Sequence, residues 1–261
     1  MTEPAVQIEP ESKPQTKPEH HFSASSALQW LLSVIAIAAF VMTFIVQAFE
    51  IPSESMEDTL LIGDYLLVDK VDYANGGVFG SLLPYTKIKR GDIIVFRYPI
   101  HPQQHFVKRV IGIPGDRVHL TNKQVFVNGQ EVAESYTVHR SSQRNYYRDD
   151  FPNTRYIDGN VDPHWWIQMR KLIEDGNLIV PEGHYFVLGD NRDESLDSRY
   201  WGFVPRENVV GRPLLIYWSV NREAEAFTGD RDQNAKLNRL LNRMRRVFQD
   251  TRWNRTMKVV R

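Results

Sequence analysis

Cysteine is absent from this chain, which rules out disulfides, thiolate metal sites and a cysteine nucleophile. No sign of charge dominates either. Lys plus Arg and Asp plus Glu each number 32 among 261 residues, so net charge singles out no partner. Internal repeats are missing, and so is the strand–helix alternation that marks a parallel sheet. No Gly-x-Ser-x-Gly elbow, no His-Glu-x-x-His helix and no Walker loop occurs, which removes three common routes to hydrolysis or phosphate binding. What remains is an ordinary composition, 42% hydrophobic and 25% charged, that argues against wholesale disorder.

Only one long apolar run is present. Ser23 to Phe49 holds no charged residue, and its heart is ALQWLLSVIAIAAFVMTFIVQAF (Ala27–Phe49). As a helix this heart rises roughly 34 Å, enough for a hydrocarbon core of about 30 Å. Val46-Gln47-Ala48 resembles a signal-peptide cleavage site, but such apolar regions run only about 7–15 residues, so a retained anchor is the better reading. Lys13 and Lys17 precede the run, and the next basic residue after it is Lys70. By the positive-inside rule the N-terminus is cytoplasmic and everything beyond Glu50 lies outside. The expectation is a single-pass protein of the cytoplasmic (inner) membrane with its folded domain on the outer, periplasmic side.

Residues 1–22, rich in Pro, Glu and Lys, read as a disordered cytoplasmic tail, and 23–49 as the anchor. Beyond it the pattern is strand-like: LLIGDYLLVDKV (60–71), GDIIVFRYP (91–99), HFVKRVIGI (105–113), VHLTNKQVFVNGQEV (118–132), HYFVLGD (184–190) and GRPLLIYWSV (211–220). Asn128-Gly129 is a strong hairpin signal. A mainly β, antiparallel fold follows, with 50–118 and 181–220 as its core and 119–180, polar and aromatic, inserted into it. The tail 221–261 is basic. Leu237, Leu240, Leu241, Met244, Val247 and Phe248 share one helical face, predicting an amphipathic helix. That helix fits either an anionic membrane surface or packing on the β domain.

Three stretches carry candidate chemistry. The first is FEIPSESMEDTL (49–60), where Ser53 and Ser55 follow closely on the anchor. A serine hydroxyl needs a base, and none of the eight histidines falls in a convincing triad motif. His101 and His105 have metal-pair spacing, but Pro102 and the flanking strands argue against a helical site. The second is HFVKRVIGI, where strand alternation puts Lys108 on one face with Phe106 and Val110. Burial there would lower its pKa and make it a base; the simpler alternative is a lysine whose head reaches solvent. The third is GDNRDESLDSRYWGFVP (189–205). Asp190, Asp193, Glu194 and Asp197 could suggest a calcium loop, but the spacing is wrong and Arg192 and Arg199 oppose a cation. A salt-bridged loop that offers Ser195 or Ser198 to a buried amine is the alternative. Arg90-Gly91-Asp92 spells an adhesion tripeptide but reads as a turn feeding a strand.

Together IPSESMEDTLLIGDYLLVDK, KRGDIIVFRYP, FVKRVIGIPGD and VPEGHYFVLGDNRDESLDSRYWGFVP resemble the bacterial type I signal peptidase (leader peptidase) family. They stand in family order behind an N-terminal anchor and cover about a third of the chain. The resemblance implies a coiled antiparallel β catalytic domain and a Ser–Lys dyad, with Ser55 as nucleophile and Lys108 as general base. It implies an oxyanion hole from Ser53 and Ser55, a lysine-orienting Ser195, and support from the pair Asp197 and Arg199 and from Asp190. Met56 is expected in the substrate pocket, which would select Ala-x-Ala-like sites. No metal and no cofactor is implied. The expected partners are signal-peptide-bearing preproteins and membrane lipid, anionic lipid at the C-terminal tail included, and not nucleic acid. Two other readings stand: a catalytically silent, membrane-tethered β module, and a Ser–Lys protease with different substrates. Asp58 and Glu194 depart from the family, which usually has Pro at the first position and often Asn at the second.

Overall fold

The computed structural model describes residues 24–71, 73, 86–221 and 248–260; the tail expected over 1–22 lies outside them. Helix α1 (Ala24–Phe40) carries no Gly, Pro or charge and is apolar all round. It runs into a π-helical turn, Val41–Ile45, so that Ser25–Ile45 forms 21 residues of unburied apolar helix. That length spans about 30 Å of hydrocarbon. Lys70 satisfies two carbonyls at the end of this stretch, its N–H reaching Ile45 O at 2.9 Å and its Nζ reaching Thr43 O at 2.7 Å.

Here the anchor ends earlier than expected. Val46–Glu50 forms strand β1, antiparallel to β2 (Asp64–Asp69), with Val46 opposite Asp69 and Glu50 opposite Tyr65. Apolar character alone does not distinguish helix from strand in VQAFE; a cross-strand partner decides it. The loop between the two strands holds both serines of the first stretch.

The chain continues through β3 (Ile93–Arg97), β4 (His105–Gly112), β5 (Arg117–Thr121), β6 (Gln124–Val127) and β7 (Gln130–Glu131). Helices α2 (Tyr146–Asp149) and α3 (Pro163–Lys171) follow, then β8 (Ile173–Glu174), β9 (Asn177–Ile179) and β10 (His184–Leu188). Helix α4 (Ser198–Trp201), β11 (Val204–Pro205), β12 (Val209–Ser219) and β13 (Lys258–Val259) complete it. One sheet has the order β1-β2-β12-β3-β4-β10-β11, with β13 pairing β12; a second has the order β7-β6-β5-β9-β8. The pairings between these strands are antiparallel, and one isolated bridge, Val138 with Asn191, is parallel. Strand β12 serves β3 with its first residues and β2 with the rest, its register slipping at Pro213/Leu215 and Ile216/Trp218. Such bulges bend a strand and raise its twist, which coils the main sheet.

Strand β3 reads IIVFR without alternation because both of its faces are covered. Ile94 and Phe96 enter a large core shared with Val118, Leu120, Tyr147, Phe151 and Trp165. Ile93 and Val95 enter a smaller one with Ile51, Met56, Leu60, Leu66, Val68 and Ile216, beneath the serine loop. The inserted sheet thus shares its core with the main sheet. It begins at Arg117, slightly before the expected boundary at 119, because Arg117 and Val118 pair with Ile179 and Leu178. The stretch 118–132 holds two turns rather than one. Asn122 and Lys123 both have positive φ, as do Asn128 and Gly129.

The helix expected from the apolar stripe of the tail lies outside the described residues except at Phe248. What is described of the tail, 248–260, returns to the sheet. Thr251 bridges to Val220, Arg252 N–H reaches Ser219 O at 2.8 Å, and β13 pairs with Leu215 and Ile216. Arg255 pairs there with the fully buried Asp64 at 2.6 Å.

Candidate active site

The loop between β1 and β2 is closed at its base by Ile51 N–H to Asp64 O at 2.9 Å and Gly63 N–H to Ile51 O at 3.0 Å. Gly63 is required here. Its φ is +83°, and a Cβ would sit 2.2 Å from Val220 O. Inside the loop, Glu57 N–H to Glu54 O and Leu60 N–H to Met56 O make turns, while Met56 and Leu60 plug the smaller core. These plugs fix the backbone that carries Ser55. Asn191 fixes it from the other side, its N–H reaching Ser55 O at 3.2 Å and its Nδ2 reaching Glu54 O at 3.3 Å. Asp58 adopts φ +71°, a value closed to proline, so the departure at this position comes with a turn that proline could not form.

Ser55 is buried, and Lys108 on β4 is only 4% exposed. Lys108 Nζ donates to Ser55 Oγ at 2.5 Å and to Val107 O at 3.2 Å. The Phe106 ring stands 5.5 Å from the amine. Lys108 does not reach solvent as the simpler reading supposed, and among the described residues it makes no ion pair. Burial lowers its pKa from 10.5 to about 8; Asp197 and Asp190 pull it upward and Arg199 downward. At about 8, on the order of a tenth of the molecules hold a neutral amine at pH 7.

Ser53 is exposed beside this pair, its Oγ 3.4 Å from Ser55 Oγ. A cavity of about 280 Å³ opens against Ser53, Ser55 and Lys108, with Met56, Val95 and Val107 among its apolar lining. Glu194 and Leu196 lie at its mouth, as does His105, whose ring meets Phe49 at 5.1 Å. Strand β4 pairs with β3 over His105–Arg109 but with β10 only from Arg109 onward. Its His105–Lys108 edge is therefore without a β10 partner along the cavity.

Behind the pair, each acidic residue of the 189–205 stretch that is buried has a cation. Asp190 takes Arg109 Nε at 2.8 Å and Nη2 at 2.7 Å, and Thr59 Oγ1 at 2.6 Å. Asp197 takes Arg199 Nε at 2.9 Å and Nη2 at 2.8 Å, and Gly189 N–H at 3.1 Å. Burial alone would raise the Asp197 carboxyl; Arg199 and these hydrogen bonds hold it below the usual carboxylate range. Asp193 takes Lys123 at 2.9 Å. With their oxygens so engaged these carboxylates are not a calcium loop, and no group of three metal-ligating side chains occurs among the described residues. Arg90 pairs with Asp116 while Asp92 caps the Lys89 N–H, so that tripeptide is a turn.

Ser195 departs from its expected contact. It is 4% exposed and makes no hydrogen bond to Lys108; its hydroxyl lies instead toward Asp197, where it helps hold that carboxyl below its usual range. It packs on Gly189, where a Cβ would come 2.3 Å from Ser195 Oγ and 2.4 Å from Ser55 O. The amine is engaged by Ser55 and Val107 instead. Arg109, Thr59 and Asn191 support the site without having been singled out. The signal for Arg109 was present, since a second cation beside Lys108 on a buried strand needs a carboxylate.

A family model described as signal peptidase, peptidase S26, matches residues 24–218. Signal peptidase I of Aquifex aeolicus is 36% identical over 224 residues, covering 72% of this chain and 82% of that protein. Signal peptidase I of Leptolyngbya laminosa is 33% identical over 233 residues, covering 85% and 93%. The protein of the same name from Pseudomonas fluorescens is 37% identical over 210 residues, covering 71% and 69%. A crystal structure of a signal peptidase I from Enterococcus faecalis is 37% identical and covers 49% of this chain and 97% of that one, with a TM-score of 0.36.

Proposed function

The chain belongs to the signal peptidase family, peptidase S26, and we propose that within it Ser55 is the nucleophile and Lys108 the general base. Membership makes it a serine endopeptidase that removes signal peptides from preproteins, anchored to the membrane by its apolar N-terminal helix. One observation carries the dyad: a buried lysine amine, without an ion-pair partner among the described residues, at 2.5 Å from a serine hydroxyl that borders a cavity.

The neutral amine accepts the Ser55 proton as Oγ attacks the scissile carbonyl carbon, forming a tetrahedral oxyanion. Ser53 Oγ–H and the Ser55 N–H are the donors for that oxyanion, a role worth about 10²–10³-fold in rate per donor. The lysine then gives its proton to the departing amine, leaving an acyl-enzyme at Ser55. Water, deprotonated by the same amine, releases the signal peptide and frees Oγ. An extended substrate lies along the His105–Lys108 edge of β4 as an added strand. Side chains two apart then face the same wall, where Met56, Val95 and Val107 favour small residues at both. Asp190, Asp197 and Arg199 hold the surrounding charges still, and Ser195 offers a hydroxyl to the amine during the proton transfers.

Lys13 and Lys17 before the helix, with no further basic residue until Lys70, support a topology with the N-terminus in the cytoplasm and the catalytic domain outside, away from nucleic acid. Lipid contact beyond the anchor falls to the basic tail. The test of the dyad is cleavage of a purified preprotein in detergent by wild type, Ser55→Ala and Lys108→Ala. Both variants bind substrate and fail to cut, while wild-type activity survives EDTA and rises with pH through about 8. Appreciable cutting by either variant removes the dyad; a metal requirement reopens the acidic loop.

A further inference from the structure

Beside the dyad lies a second buried charge cluster that the proton transfers do not use. Lys123 stands at the tip of the β5–β6 turn, at φ +71°. Its Nζ donates to Asp193 Oδ1 at 2.9 Å and Oδ2 at 3.1 Å, and to Ser141 O at 2.9 Å. The same carboxylate accepts the Ser141 N–H at 2.8 Å and lies 3.0 Å from Arg148 Nη2 of α2. Arg148 Nη1 also reaches the Asp193 carbonyl at 3.1 Å. Three separate segments of the inserted region thus close on one fully buried carboxylate.

Asp193 sits two residues before Ser195 and four before Asp197, on the loop that also brings Asp190 and Gly189 to the dyad. More contacts reinforce this seam. Val138 N–H reaches Asp190 O at 2.9 Å, Arg192 N–H reaches Val138 O at 3.0 Å, and Arg192 grips Glu134 at 2.6 and 2.7 Å. Buried ion clusters add little net stability over apolar packing, but they fix one arrangement of the chain.

We propose that the inserted region is a clamp on the catalytic base: Lys123 and Arg148 are positioning residues that hold loop 190–198 over Lys108 through Asp193. The proposal rests on the Ser55–Lys108 dyad. The groups facing Lys108 are Ser55, Asp197, Asp190 and Arg199. Those facing Asp193 are Lys123, Arg148 and His139 at 3.9 Å, with Arg192 and Asp149 beyond. Burial holds the His139 pKa below its ordinary 6.5, so His139 stays neutral where the base titrates. A loosened clamp lets water reach the amine, desolvation relaxes, and fewer lysines are neutral at pH 7.

Lys123 is the variant of choice because it is partly exposed on a turn, whereas Arg148 and Asp193 are buried. The experiment measures kcat and KM for a preprotein from about pH 6 to 10, with thermal melting, on the full chain in detergent. Lys123→Met moves the rising limb of kcat to higher pH by about one unit, which is about a tenfold loss at pH 7 that recovers at high pH. KM stays within about twofold, and Lys123→Arg keeps the wild-type limb. An unmoved limb overturns the clamp, whether or not melting falls, because a purely structural residue lowers melting without retuning the base. Ser55→Ala run in parallel separates the two ideas. Activity in Ser55→Ala removes the dyad itself, whereas an inactive Ser55→Ala beside an unmoved Lys123→Met limb removes the clamp alone.

Discussion

Two neighbouring cations on one strand are treated in opposite ways. Arg109 gives its guanidinium to Asp190 in a two-point pair and its Nη1 to Gly91 O at 2.8 Å, and its charge centre lies 3.8 Å from the Tyr136 ring. Lys108, one residue earlier, has a hydroxyl and a carbonyl and no ion pair among the described residues. Both are nearly out of contact with water. The paired cation keeps its charge and holds the fold, and the unpaired one is pushed toward neutrality. A buried charge without a counter-ion costs free energy, and here that cost leaves part of the Lys108 amine population neutral near pH 7.

The strongest way to break the comparison is to make position 108 behave like 109. Lys108→Arg keeps a cation of similar reach but one that does not lose its proton in proteins. Cleavage falls by at least about 10⁴-fold and, unlike wild type, does not recover as pH rises. A rise with pH in this variant, read from initial rates on a preprotein, would assign the base to another group.

The reverse experiment removes the partner from the paired cation. Arg109→Met leaves Asp190 fully buried with only Thr59 Oγ1 as a donor among its side-chain contacts. Breaking a buried pair from one side costs about 3–5 kcal/mol. Chemical denaturation of the detergent-solubilised chain reads that loss, and a change below about 1 kcal/mol would mean that water or a neighbour takes the role of Arg109. The double change Arg109→Met with Asp190→Leu recovers much of it.

The same contrast decides how much was readable in advance. Each strand expectation rests on local cues that the sheet respects: IIVF and HYFVL are short, β-rich and bounded by turns. The residues proposed as the dyad, Ser55 and Lys108, lay in stretches whose order matched a family. What escaped depends on distant partners. VQAFE becomes β1 only because DYLLVD lies opposite, and its apolar letters continue the anchor when read alone. The ion pair of Arg255 with Asp64 joins residues 191 positions apart, so the described end of the tail reads as part of a basic tail until its carboxylate is seen. Likewise Asn122-Lys123 hides a hairpin turn, since the second left-handed residue is not the glycine usually met there. Ser195 is a different case: the resemblance implies a contact with the lysine, whereas in the structure its hydroxyl lies toward Asp197.

The smallest expected effect sharpens the comparison by asking what the unpaired lysine costs the fold. Its folded pKa of about 8 lies below the ordinary 10.5. Below pH 8 both folded and unfolded chains carry the charge, and the folded chain bears the full desolvation penalty, about 3 kcal/mol for that difference. Between pH 8 and 10.5 the unfolded chain binds more protons than the folded one, so stability rises with pH and the penalty fades. Above 10.5 both forms are neutral and it is gone. Lys108→Met, which keeps the apolar stem and discards the amine, is therefore more stable than wild type by up to about 3 kcal/mol at pH 7, with the advantage shrinking across pH 8 to 10.5. Denaturation midpoints of the two proteins at pH 7 and pH 10.5 measure this directly. An advantage that does not change with pH would mean that the amine titrates alike in the folded and unfolded chains, and the contrast with Arg109 would then rest on geometry alone.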